Sequence, residues 1–426
     1  MRALYLSLVL LGLVLLTATP ALATNGDNLI AIGPIARSMG GVGVAAPQDA
    51  ISAVFANPAA MCFGPYCPSG EFNFSGSAFM PHVDAKISFP ASGLTIEADS
   101  EEKVYPIPAL GVSVPITNLP PFWRFGLSAY GVTGLGVDYK GTDIDQPGFY
   151  DFGAMGSFPL VSGEFTELSI MKFAPAIAFQ PREDLSLGLA LHVDYGSLDL
   201  RDGSSTGFGF GVQVGAIYKP TETISLGLNY VSPQNIAHDN VADFDGDGRS
   251  DTLDLESPQH IDFGIAYTPL FADLLIEADV KWINWSDADG YDDFDWNDQW
   301  VFAIGAQYRP AALPKLALRA GYNYGENPVE EHDNFNGMPL TEVQGKSLPT
   351  YYYETFRIIG FPAIVEHHIT LGVGYDFTPN FSMHLGYIHG FEKTISQTGT
   401  DITGQPVELE STLSEDSLDF GLTWRF

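Results

Sequence analysis

The residues best spaced to do chemistry in this 426-residue sequence lie in one acidic stretch, DFDGDGRSDTLD, at 243–254. Asp243, Asp245 and Asp247 alternate, Gly248 takes the sixth position, and Asp251 and Asp254 stand at the ninth and twelfth. A hard cation such as calcium needs about six to eight oxygen ligands, which alternating carboxylates around a glycine bend can supply. Arg249, at the seventh position, would offer only its backbone carbonyl. The twelfth ligand of a helix-loop-helix calcium site is normally Glu, and the shorter Asp254 chelates less readily with both oxygens. The expectation is a structural Ca2+ that stiffens an outer loop, with a solvated acidic loop as the alternative. A second cluster, Asp287, Asp289, Asp292 and Asp293, lacks that register and reads as a solvated face.

Other residues invite weaker readings. Cys62 and Cys67 lie close together in a chain that carries an export signal, so a disulfide is expected, two free thiols being the alternative. Strand alternation turns Arg319 and Lys281 inward, where either could hold a ligand carboxylate by a charge-assisted hydrogen bond. Both could instead pair with inward acids such as Asp279 and Glu277. His367 and His368 are adjacent on a strand and face opposite ways, which disfavours a shared metal. The sequence contains no G-x-S-x-G, H-E-x-x-H, phosphate-binding loop or dinucleotide fingerprint, and nothing singles out His192 or Asp194 as catalytic. No enzyme is expected.

The elements that must position these residues are strands. Leu418, Phe420, Leu422, Trp424 and Phe426 alternate with Asp419, Gly421, Thr423 and Arg425. One face of such a strand is wholly apolar and the other polar or small, as in a barrel whose outer face meets lipid. The same alternation recurs at 185–195, 208–218 and 369–377. Fourteen strands are expected, near 71–80, 104–115, 122–133, 165–180, 184–197, 207–219, 222–232, 258–268, 273–284, 298–309, 314–324, 364–377, 380–393 and 414–426. Tight turns follow the even-numbered strands. Long acidic connections, 134–164, 233–257, 285–297, 325–363 and 394–413, follow odd-numbered ones, the asymmetry of periplasmic turns against outer loops. Charged residues make up only 17% of the chain, low for a water-soluble domain, where about 25% is usual. The formal net charge of -33 excludes nucleic acid as a partner, since that needs basic patches.

The N-terminus has Arg2, an apolar run to Leu16 and an Ala21-Leu22-Ala23 ending, the pattern of a secretory signal peptide over 1–23 with cleavage before Thr24. Residues 24–70 are rich in Gly and Ala without a period of two, too small-sided to fold alone, and are expected to pack inside something else. Residues 71–426 then form one all-β domain, a transmembrane antiparallel β-barrel with long acidic extracellular loops in a bacterial outer membrane. The aromatic C-terminal strand resembles the signal by which the barrel-assembly machinery recognises its clients.

Several stretches resemble the FadL/TodX family of outer-membrane transporters for long-chain fatty acids and other hydrophobic compounds. They are Gly33, Arg37, Gly40-Gly41, Asp49-Ala50, Asn57-Pro58-Ala59 and Met61, then Gly207 to Gly211 with Tyr218-Lys219-Pro220. Lys281-Trp282 to Trp285-Ser286, Trp300 to Gly305, Leu318-Arg319 to Tyr322, and Glu366 to Gly372 follow in order. The resemblance implies a fourteen-stranded barrel plugged by an N-terminal hatch, taking up hydrophobic small molecules passively and releasing them sideways through a gap in the wall. It implies a gate at Asn57, Pro58 and Ala59 beside that gap. The gap would come from an interrupted third strand, with Gly131, Gly134 and Gly136 as candidates because glycine weakens strand pairing. Those glycines could equally mark an outer-loop entrance. A monomer in contact with outer-membrane lipid is expected. The rival readings are a calcium-stabilised surface adhesin or structural barrel, and a general porin.

Overall fold

The computed structural model describes residues 24–101, 103–117, 122–201, 203–246 and 248–426; the expected signal peptide lies outside these. Fourteen antiparallel strands close into a barrel. They are β1 (Glu71–Phe89), β2 (Tyr105–Pro115), β3 (Phe122–Asp138), β4 (Phe165–Arg182), β5 (Leu185–Leu200), β6 (Gly203–Tyr218) and β7 (Ile224–Val231). The second half is β8 (His260–Tyr267), β9 (Leu274–Ile283), β10 (Gln299–Tyr308), β11 (Leu316–Gly325), β12 (His367–Thr378), β13 (Phe381–Thr400) and β14 (Pro406–Arg425). Each pairs with its sequence neighbour, and β14 returns to β1 through Arg425↔Glu71 and Ser414↔His82. Closure pairs the strand edges around the ring except where β2 and β3 part, as lipid favours, since an unsatisfied backbone group there costs several kcal/mol.

Side chains sort as period two requires. Phe208 and Phe210 on β6 are 62% and 69% exposed, and Leu418 and Trp424 on β14 are 57% and 58% exposed. Their inward neighbours Asp419 and Thr423 are buried. Tyr218, Tyr267, Tyr308, Phe377 and Trp424 stand exposed at the strand ends on the short-turn side, an interfacial girdle.

Several strands run further outward than their outward-facing pattern predicts. The connection expected at 394–413 is instead the top of the β13–β14 hairpin, paired through Thr400↔Pro406. The pattern inverts there. Below Glu415 the inward residues of β14 are polar or small. Above it Val407, Leu409 and Leu413 turn inward and are buried. They meet folded outer loops instead of a polar lumen, so the strand continues with its apolar side reversed. Likewise β1 extends into a hairpin with Leu94–Asp99, and β5 meets β6 at Leu200↔Gly203. The expected loop 325–363 contains a helix, α2 (Thr350–Thr355), continued by a wider turn at Phe356–Gly360, all buried from Tyr351 onward. The apolar run from Tyr351 to Val365 is the signal for it, standing inside an otherwise acidic segment.

Candidate functional site

Residues 24–62 are mostly buried, packed against inward-facing wall residues, and their seat is built from glycine and buried carboxylate. The helix α1 (Ala50–Ala56) is capped by Asp49, whose side chain accepts from Ser52 N–H at 2.9 Å. A Cβ at Gly305 would stand 2.1 Å from the Met39 carbonyl oxygen, and one at Gly321 would stand 2.2 Å from the Gly40 nitrogen. Only glycine lets the two backbones approach so closely. Around this contact the wall supplies acceptors for amides that no secondary structure uses. Asp279 accepts from Gly43 and Val44 N–H at 2.8 and 3.1 Å, and Glu277 from Ala45 and Ala46 N–H at 2.6 and 3.0 Å. Arg37 meets Asp419 at 2.8 Å with both side chains out of solvent.

Asn57, Pro58 and Ala59 belong to this seat. The Asn57 amide donates to the carbonyls of Val44, Ala216 and Leu228 at 2.9, 3.2 and 3.3 Å, and Ser186 Oγ donates to the Ala59 carbonyl at 2.7 Å. Gly188 and Gly215 give the three residues room against β5 and β6. They therefore do not stand beside the interrupted part of the wall, contrary to the resemblance, and none lines the cavity there.

That cavity forms where β3 leaves β2. Pairing between them ends at Ala109↔Tyr130. Above this point β2 offers Pro106 and Pro108, which have no N–H to donate. β3 bulges between Gly131 and Thr133 and keeps its pairing to β4 as far as Asp138↔Phe165. On its other side it pairs with the N-terminal segment instead, at Asn28↔Thr133. Asp138 and Ser100 re-close the ring above, with Glu101 N–H donating to the Asp138 carbonyl at 2.8 Å and Asp138 N–H to Ser100 Oγ at 2.9 Å. The window so framed opens into a cavity of about 340 Å3. Leu168 and Ile170 line it from the inward face of β4, and Glu167 and Ser169 from its exposed face. Residues of both faces of the wall thus border it. Gly131, Gly134 and Gly136 all border it. An apolar cavity of about 150 Å3 takes a benzene ring, so this one has room for a monoaromatic or a length of alkyl chain.

Neither candidate cation reaches it. Arg319 is buried, with Nε donating to Gln307 at 2.7 Å and Nη1 3.4 Å from His384 Nδ1. Lys281 Nζ lies 3.9 Å from Asp262 and 5.9 Å from the Phe55 ring centre. It borders two small chambers of about 30 and 40 Å3, too small for an organic ligand. The carboxylates that line the wall cavity are Glu167 and Glu415. His192 bonds Gln213 at 3.1 Å, and Asp194 faces Lys172 at 3.3 Å, an arrangement that braces the wall.

The expected disulfide is not formed. Cys62 and Cys67 are free thiols, and Cys67 Sγ turns to the Met61 carbonyl at 3.0 Å. The calcium set is divided. Asp243, Asp245 and Asp251 bring one carboxylate oxygen each within 4.8 Å of one another, while Asp247 lies outside the described residues. Asp254 does not join them. It sits on the strand Asp251–Ser257, paired with Ala237, and its backbone is held by the Gln344 amide at 2.9 Å on both sides. Lys346 Nζ instead stands 2.5 Å from Asp251 and 3.7 Å from Asp245. Burial acts against the Asp251 charge, but Lys346 and the Phe244 N–H hold that carboxyl below its usual range.

Residues 196–352 match the family model described as "Outer membrane protein transport protein (OMPP1/FadL/TodX)". Outer membrane protein P1 of Haemophilus influenzae is 24% identical over 454 residues, covering 88% of this chain and 89% of the relative. Two solved structures superpose over nearly the whole barrel. The toluene transporter TodX of Pseudomonas putida has a TM-score of 0.65 at 18% identity, covering 94% of this chain and 100% of its own. A FadL homologue of Pseudomonas aeruginosa has 0.63 at 16% identity, covering 95% and 98%. The chain thus resembles the FadL/TodX family in sequence over part of its length and shares the barrel fold of its solved structures. It is an outer-membrane β-barrel.

In this barrel the outer loops hold residues that alternation could not find. Trp285, Tyr291 and Trp296 form an aromatic trio with ring centres 4.7 to 4.9 Å apart. Tyr291 hydroxyl donates to Asp27 at the start of the N-terminal segment. The surrounding Asp287, Asp289 and Asp292 are exposed, as expected, but the aromatics between them point in. Above, α2 caps the barrel. Arg357 donates to Glu354 at 2.7 Å and to the Phe294 and Glu330 carbonyls at 2.7 Å. Burial would raise the Glu354 carboxyl, yet His332, Arg357 and Gln397 together hold it below its ordinary value.

Proposed function

We propose that this protein takes up uncharged hydrophobic small molecules passively, that residues 24–70 plug its lumen, and that ligand leaves sideways through the window beside β3. The observation that carries the reading is the mainly apolar cavity beside β3, bordered by residues of both faces of the wall. An apolar solute gains nothing from an aqueous pore, but loses its unfavourable contact with water in a dry passage that ends in lipid. The chemistry of the lining favours neutral ligands, since Glu167 opposes an anionic head group, Glu415 is taken up by Thr24, and Arg319 and Lys281 lie elsewhere. TodX is a toluene transporter, which agrees with a neutral ligand.

The test is native mass spectrometry of the detergent-purified, delipidated protein with toluene, an alkane and a long-chain fatty acid. Retention of the neutral compounds is expected. A Cβ at Gly134 meets nothing within 4 Å, so Gly134→Trp should fill the cavity and abolish retention while the barrel still assembles. Retention unchanged in G134W would overturn the route. No retention by the unaltered protein would favour a surface structural barrel, and steady ion conductance in a planar bilayer would favour a porin.

We also propose that the outer loop at Asp243, Asp245 and Asp251 takes calcium only in competition with Lys346. Calcium titration of Lys346→Gln should show affinity raised on the order of tenfold, the loss of one resident cation. Absence of calcium binding in both proteins would leave Lys346 as the permanent counter-charge.

A further inference from the structure

The first residue after the expected cleavage site is already buried against a carboxylate. Thr24 is 2% exposed and Glu415 is 3% exposed. Thr24 Oγ1 donates to both Glu415 oxygens, at 2.9 and 3.1 Å, and the backbone nitrogen of Thr24 turns to the same group. The nearest cation, Arg37, is committed to Asp419. A carboxylate out of water with only neutral donors is costly, by several kcal/mol in proteins. Glu415 also borders the inner end of the wall cavity, and Asn28, four residues beyond Thr24, carries the pairing to β3 that frames the window.

We propose that removal of the leader at Ala23–Thr24 frees an α-ammonium group that ion-pairs with Glu415 and pins the start of the N-terminal segment at the cavity's inner end. Hydrolysis of that peptide bond gives Ala23 the carboxylate and Thr24 the amine, which is protonated at neutral pH. The amine replaces an amide N–H already aimed at Glu415, so the pair forms without rearrangement. The precursor has only the amide there, so the pin belongs to the processed protein alone. The ammonium is in turn neutralised by Glu415 and leaves no free cation for an anionic ligand. The consequence for gating rests on the transport reading above; the pin does not.

The experiment uses the full processed protein in detergent. Intact mass should place the first residue at Thr24. Hydrogen exchange over residues 25–33 is then compared in the unaltered protein, in Glu415→Gln, and in a variant with one alanine inserted before Thr24. The insertion moves the ammonium by roughly 3.8 Å and changes no side chain. Both variants should exchange in this stretch on the order of tenfold faster or more, with the β-strands unaffected. A different first residue, or an inserted variant that exchanges like the unaltered protein, would overturn the pin. If E415Q fails to assemble, the inserted variant still decides, because it keeps Glu415. Toluene retention by the unaltered protein is scored separately, so the pin and the transport reading fail independently.

Discussion

Two glycines in this barrel do opposite things. At Gly321 a Cβ would meet the backbone of Met39 and Gly40, both at 2.2 Å; at Gly134 it would meet nothing within 4 Å. The first lets one chain segment lie against another with no side chain between them. The second leaves a space. The seat of the N-terminal segment and the window beside β3 are thus made by the same residue used as contact and as vacancy. The difference lies in what faces the glycine. Across from Gly321 stands a segment whose amides are satisfied by wall carboxylates. Across from Gly134 stands the cavity, where β2 turns away behind two prolines.

The comparison predicts that damage to the seat costs stability and damage to the window costs function. The largest effect should come from Asp419→Ala, which leaves the Arg37 guanidinium buried beside no carboxylate. Breaking a buried pair from one side costs about 3–5 kcal/mol. Urea unfolding of the purified barrel, followed by its gel mobility shift, should show a matching fall in midpoint. A change below about 1 kcal/mol would mean that the seat is not held by charge. Next is Gly321→Ala. The clash is with backbone and not with a movable side chain, so about 1–3 kcal/mol of overpacking is expected in the same assay. If G321A unfolds like the unaltered protein, the segment is looser in solution than its contacts imply.

The seat and the window differed in how readily the sequence announced them. The fourteen strands were legible because lipid enforces period two, and Leu418 to Phe426 display it without a break. Glycines 131, 134 and 136 were legible as weak pairing in one strand. What β3 pairs with instead was not, because Asn28↔Thr133 joins residues 105 positions apart and leaves no local pattern. The outer part failed for a different reason. At Glu415 the environment of β14 changes from lipid and lumen to lipid-free loops, so Leu409 and Leu413 point inward and the outward pattern ends early. The helix at Thr350–Thr355 hid inside a long connection whose acidity drew attention from its aromatics. Asp254 fitted a loop register that the backbone does not follow, since strand pairing with Ala237 takes it away from Asp243. The position of the Asn57-Pro58-Ala59 stretch along the wall depends on Gly188 and Gly215 accepting it, which no local pattern announces.

The smallest effect is also the sharpest separation of the two regions. Gly134→Ala adds one methyl group at a position with ordinary strand geometry and open space around it. Its stability should stay within about 0.5 kcal/mol of the unaltered protein, or rise slightly because alanine has less freedom to lose on folding. Toluene retention should persist, since one methyl removes little of a cavity of about 340 Å3. The pair G321A and G134A therefore applies the same chemical change to both glycines with expected outcomes that differ in stability by more than the error of the assay. If G134A destabilises as much as G321A, the space beside β3 is closed by packing in solution, and a passage through the wall there loses its physical basis. If both are neutral, the seat rests on its carboxylates alone, and the glycine contacts are permissive and not stabilising.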